Sequence, residues 1–144
     1  MDRCNVLIII EDLRDIKILS EAFKGCGVDS VHYVHSALQA FMYLEGQKKE
    51  SLPKLIIADL NLPGISGAQF RKDLKEVVRY KHIPVVVLST LKKEQDLIRF
   101  HLSGEADFVV KPTTPEEYIT VANSIIKKAS MLQNQSNQIN DQQP

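Results

Sequence analysis

The sequence predicts an α/β protein built on a doubly wound, five-stranded parallel sheet. Three observations point there. Strand-like runs alternate with helix-like stretches five times over, the pattern of a parallel sheet covered on both faces. The runs at 6–10, 55–58 and 85–88 are continuously apolar, as strands buried on both sides must be. Four of the runs also stop at residues that carry charge or a hydroxyl.

Val6-Leu7-Ile8-Ile9-Ile10 reads as a central strand and ends at Glu11-Asp12. Ile16, Leu19 and Phe23 then repeat at helical spacing, and Gly25 and Gly27 stop that helix. Val31-His32-Tyr33-Val34 is mixed in polarity, which places it at an edge of the sheet. Ser36-Ala37-Leu38-Gln39 and Ser66-Gly67-Ala68-Gln69 fit the capping-box pattern and start the second and third helices. Between them Leu55-Ile56-Ile57-Ala58 closes on Asp59 and opens into the turn Asn61-Leu62-Pro63-Gly64. Val85-Val86-Val87-Leu88 stops at Ser89-Thr90, a fourth helix ends at Gly104, and Phe108-Val109-Val110 stops at Lys111-Pro112. Thr114-Pro115-Glu116-Glu117 starts the last helix, with proline at the first helical position and acid near the positive end of the dipole. Its core stripe is Tyr118, Ala122, Ile125 and Ala129.

Residues 1–130 therefore make one domain. Residues 131–144 form a Gln/Asn-rich tail in which, from Gln133 onward, Ile139 is the one aliphatic residue. Such a stretch buries too little surface to offset its ordering entropy and is predicted to be disordered.

A chain of 144 residues can bury a proper core without staples. Its 18 lysines and arginines balance 18 aspartates and glutamates, and a formal charge of zero argues against direct nucleic-acid binding. No apolar run approaches the roughly 20 residues that cross a bilayer. Glu11 and Asp12 also cut the first run short of a signal peptide. A cytoplasmic location is expected, with Cys4 and Cys26 as reduced thiols.

In open parallel α/β sheets, ligands bind outside the carboxyl ends of the strands, where the strand order reverses. Glu11, Asp12, Asp59, Ser89 and Lys111 all fall at such ends. Three carboxylates and one ammonium leave a local charge of about −2, unfavourable unless something neutralises it. A hard divalent cation is the natural remedy: Mg²⁺, or Mn²⁺ in its place. Asp12 and Asp59 are the expected carboxylate ligands, Glu11 contributes through water, and the Asn61 backbone carbonyl completes the set. With the metal and Lys111 in place, an aspartate oxygen can attack a phosphoryl group and form an acyl phosphate. Ser89 would then donate its hydroxyl to a phosphoryl oxygen. A cis bond between Lys111 and Pro112 is expected to aim the lysine inward.

Glu11-Asp12, Asp59-Leu60-Asn61-Leu62-Pro63-Gly64 with Gly67, Leu88-Ser89 and Lys111-Pro112 are each weak signals. In this order on five βα units they are highly specific. From Val6 to about Lys128 the sequence resembles the receiver domain of two-component response regulators. The resemblance implies a flavodoxin-like sheet in the strand order 2-1-3-4-5. It implies Asp59 as phosphoacceptor, Glu11 and Asp12 as metal-site acids, and Ser89 and Lys111 as phosphoryl contacts. Phe108 would be the aromatic switch that turns inward when Ser89 moves. The implied donor is a sensor histidine kinase or a phosphotransfer protein. A downstream protein partner would meet the surface around the fourth helix, fifth strand and fifth helix; a homodimer is compatible, with no direct contact to nucleic acid or membrane. The run Ile83-Pro84-Val85-Val86-Val87-Leu88-Ser89-Thr90 looks most like single-domain receivers associated with phytochrome kinases. So read, the chain catalyses its own phosphorylation and slow dephosphorylation and is not a turnover enzyme.

Four positions depart from the commonest pattern of that family. Serine replaces threonine at 89, Thr90 stands where a very small residue is typical, Glu105 replaces alanine, and Phe108 replaces tyrosine. Two other functional classes compete with the switch. A phosphorylation-independent docking module of the same fold is opposed by the intact acid, hydroxyl and lysine set. A metal-dependent phosphohydrolase commonly has a second acid two residues after its nucleophilic aspartate, and here that residue is Asn61. Gly64-Ile65-Ser66-Gly67 brushes the nucleophile-elbow pattern, but Ala68 stands where its last glycine belongs and no histidine lies at a suitable strand end. His32, His35, His82 and His101 make no ligand set.

Overall fold

The computed structural model describes residues 5–89 and 108–127. Its strands are β1 (Asn5–Ile9), β2 (Ser30–Val34), β3 (Leu55–Asp59), β4 (Val85–Ser89) and β5 (Phe108–Val110). They pair in parallel as one sheet in the order β2-β1-β3-β4-β5. The helices are α1 (Leu13–Gly25), α2 (Ala37–Glu45) and α3 (Gly67–Lys75), with a 3₁₀ turn at Lys49–Ser51 and a final helix over residues 115–127.

The central strands are apolar throughout because each feeds two cores, successive side chains pointing to opposite faces. Val6 and Ile8 pack with Ile16, Leu19 and Phe23 of α1 and with Tyr118, Ala122 and Ile125 of the final helix. Leu7 and Ile9 pack on the other face with Ala40 and Leu44 of α2 and with Phe70 and Leu74 of α3. β2 has one neighbour and is mostly exposed, matching its mixed sequence.

Register fixes which residues reach the common carboxyl edge. Ile9 pairs with Ala58, so the chain beyond β1 and the end of β3 emerge together. Asp59 pairs with Leu88, Ser89 pairs with Val110, and the Lys111 amide donates to the Ser89 carbonyl at 2.7 Å.

Both expected serine caps form. Ser36 accepts from the Gln39 amide at 3.2 Å and Ser66 from the Gln69 amide at 3.1 Å. Neither glutamine closes its box: Gln39 instead accepts from the His35 amide, one residue before the cap, and Gln69 bonds Asp73 one turn onward. Thr114 accepts from the Glu117 amide at 3.2 Å, and Glu117 reaches back to Thr113.

The expected cis bond at Lys111–Pro112 is not formed, and no peptide bond among the described residues is cis. Trans is the favoured isomer even before proline, and from it the Lys111 side chain already reaches the acidic edge. The fourth helix with Gly104, Thr90, Glu105, Cys4, His101, the Phe108 ring and the tail at 131–144 lie outside the described residues. Cys26 is a free cysteine. Among the described residues, no helix is long and apolar enough to cross a membrane.

Candidate functional site

Asp59 ends β3 with its carboxylate mostly covered, at 13% exposure. The Asn61 amide donates to Asp59 Oδ1 at 3.3 Å, a local turn that directs one oxygen. Gly64, at φ +86°, supplies the left-handed residue that the following turn requires. α3 then begins hard against the Asp59 backbone. The Gly67 amide donates to the Leu60 carbonyl at 3.0 Å, and any side chain on Gly67 would meet the Asp59 carbonyl.

Lys111 crosses from β5 to this carboxylate, its ammonium 3.2 Å from Asp59 Oδ2. The same nitrogen lies closer, at 2.7 Å, to Asp15 Oδ2. Asp15 in turn accepts at Oδ1 from the buried Tyr118 hydroxyl at 3.3 Å. Burial alone would lower the Lys111 pKa, but the hydrogen bond to Asp15 and the charge of Asp59 outweigh it and hold it above the usual lysine range. Burial, reinforced by the Asp15 charge, pushes Tyr118 up to about 12, so its hydroxyl stays protonated and donates.

Asp12 is the N-cap of α1, its Oδ1 accepting from the Arg14 amide at 2.8 Å. Glu11 and Asp12 are exposed beyond β1. Ser89 is buried at the end of β4. The expected residues thus share one sheet edge, with Asp59 and Lys111 in direct contact. Asp15 and Tyr118 were not anticipated as site residues. Asp15 carries a usable signal: it sits three residues after Asp12, in the first turn of a helix whose amino end faces the edge. Tyr118 has the helical spacing of a core residue, yet a buried tyrosine hydroxyl usually requires a partner.

Among the described residues, no group of three or more His, Cys, Asp and Glu side chains stands gathered for a metal. The donor chemistry still fits a hard divalent cation. Asp12 and Asp59 offer carboxylates at adjacent strand ends, only one Asp12 oxygen serves the cap, and Asn61 lies exposed beside them. Four acids, Glu11, Asp12, Asp15 and Asp59, border the edge where Lys111 is bound, an excess of negative charge that such a cation would relieve.

Comparison with known proteins gives a consistent picture. The response regulator receiver domain family matches residues 6–123. The phosphate regulon transcriptional regulatory protein PhoB of Escherichia coli (strain K12) is 37% identical over 84 residues, covering 58% of this chain and 37% of PhoB. The response regulator Rre1 of Synechocystis is 28% identical over 123 residues, 85% of this chain and 52% of Rre1. The chain thus spans about a third to a half of these curated relatives. Among solved structures, the phosphorylated cyanobacterial phytochrome response regulator RcpA superposes with a TM-score of 0.73 at 27% identity, covering 85% of this chain and 91% of RcpA. The Mn²⁺-bound response regulator Rcp1 gives 0.70 at 25% identity, over 85% and 91% of the two chains.

Proposed function

The chain belongs to the response regulator receiver domain family, and we propose that it accepts a phosphoryl group on Asp59 from a histidine kinase or phosphotransfer protein in the cytoplasm. The observation that carries this reading is the Lys111 ammonium 3.2 Å from Asp59 Oδ2 at the carboxyl edge of the sheet. A phosphorylated neighbour, RcpA, and a Mn²⁺-bound one, Rcp1, support an acceptor that works with a divalent cation.

An Asp59 oxygen attacks the phosphorus of phosphohistidine, the new O–P bond replaces the N–P bond, and the released imidazole takes up a proton. Asn61 fixes Asp59 Oδ1 for this geometry, and Lys111 donates to an equatorial oxygen as charge collects there. Asp12, Asp59 and the Asn61 carbonyl would hold Mg²⁺ or Mn²⁺, with Glu11 acting through water. When bound, that ion supplies Lewis-acid stabilisation of the transferring group. Ser89, one residue past the partner of Asp59, donates its hydroxyl to the phosphoryl group and draws the end of β4 with it. The changed surface around β5 and the final helix then meets a downstream protein. Formation and slow hydrolysis of the acyl phosphate are self-catalysed, without multiple turnover.

Incubation with acetyl phosphate and Mg²⁺, followed by intact mass measurement, tests the reading. One base-labile phosphoryl adduct is expected, absent from Asp59→Asn and from a chelator-treated sample. No adduct would overturn it in favour of a docking module, and sustained release of phosphate from a phosphomonoester would favour a hydrolase.

A further inference from the structure

The Lys111 ammonium is shared, and the acceptor aspartate holds the weaker share. Its contact to Asp15 is 2.7 Å, a short charge-assisted bond, against 3.2 Å to Asp59. Asp15 sits in the first turn of α1, where the helix dipole favours a carboxylate. Its other oxygen is held by Tyr118, whose ring is locked in the core between α1 and the sheet. Asp59, Lys111, Asp15 and Tyr118 therefore form one chain of contacts running from the sheet edge into the final helix. The proposed transfer gives Asp15 no task.

We propose that Asp15 is a positioning residue that holds the Lys111 ammonium in competition with the phosphoryl site, and that the Tyr118 hydroxyl fixes Asp15 in that place. This rests on Asp59 being the phosphoacceptor. A phosphoryl group on Asp59 brings about two negative charges and strong acceptor oxygens. It draws the ammonium away from Asp15, and Asp15 then loses its cation while keeping Tyr118. The strength of the Asp15 contact sets how readily Lys111 transfers, and the Tyr118 hydroxyl relays that change to the final helix.

Two measurements on the full chain test this. The first is the ¹⁵N signal of the Lys111 ammonium in the unphosphorylated protein, assigned by its loss in Lys111→Arg. It is expected to move strongly in Asp15→Asn, to move less in Tyr118→Phe, and to stay near its original place in Asp15→Glu. The second is the affinity for beryllofluoride, a phosphoryl mimic, with Mg²⁺ present. Asp15→Asn is expected to bind it about tenfold more tightly, the worth of one hydrogen bond to a charged group. Tyr118→Phe shifts the same way by less, and carries the test if Asp15→Asn does not fold. An unmoved ammonium signal, or an unchanged beryllofluoride affinity in the folded variants, overturns the proposal. If the unaltered protein takes up neither beryllofluoride nor phosphoryl, the acceptor role of Asp59 fails, while the ammonium signal still decides whether Asp15 holds Lys111.

Discussion

Gly67 and Asp59 touch through backbone alone: a side-chain carbon on Gly67 would stand 2.9 Å from the Asp59 carbonyl carbon and closer still to its oxygen. The start of α3 is seated directly on the residue proposed to take the phosphoryl group. Gly67→Ala should therefore push α3 off β3 and cost about 1–3 kcal/mol, as overpacking does. A urea unfolding curve checks the stability. The rate of adduct formation with acetyl phosphate should fall with it, because Asp59 itself is displaced.

Asp12 serves two ends at once, capping α1 and facing the sheet edge. Asp12→Asn keeps a side-chain oxygen for the Arg14 amide, since asparagine caps as well as aspartate. Thermal stability should change little, while Mn²⁺ affinity, followed by electron paramagnetic resonance, should fall about tenfold or more with the lost carboxylate.

The Lys111–Asp15–Tyr118 cluster predicts alkaline weakening. Lys111 is raised above its ordinary 10.5, and Tyr118 from 10.0 to about 12. A raised folded-state value means stability that is fully present below the ordinary value and is lost as pH climbs through the folded one. The urea midpoint should hold steady up to about pH 10 and decline beyond it. Tyr118→Phe removes one of the two titrating groups, so its decline should be shallower.

Ser89 is 2% exposed and closes the strand beside Asp59. Ser89→Ala should leave adduct formation within a few-fold of normal, because Lys111 and the Asp59 carboxylate are untouched. The adduct-dependent chemical-shift changes in β5 and the final helix should shrink, as read by amide NMR. Equal changes in the variant and the parent protein would show that the hydroxyl takes no part in the response.

Most of the fold was legible because apolar runs and turn residues report burial locally. The two-faced burial of Leu7 and Ile8 shows in the unbroken run around them, and the half-exposed β2 shows in its mixed one. The sheet edge was equally readable, since Asp59 ends one apolar run and Lys111 directly follows another. What sequence left hidden was pairing by side-chain reach. Asp15 lies 96 positions before Lys111, and no spacing rule connects a helix's first turn to a lysine just past the fifth strand. Gln69 likewise fits a capping box on paper, but its side-chain amide donates to the Asp73 carboxylate one turn onward. The proline after Lys111 licensed a cis bond that the side chain did not need.

The buried Tyr118 hydroxyl also makes the molecule its own optical gauge. The chain has no tryptophan, so its ultraviolet emission comes from four tyrosines. Tyr118 alone among them rests its hydroxyl on an acid that shares the Lys111 charge. Subtracting the spectrum of Tyr118→Phe isolates that single ring, whose brightness should change if the cation leaves Asp15 as proposed, with no dye attached.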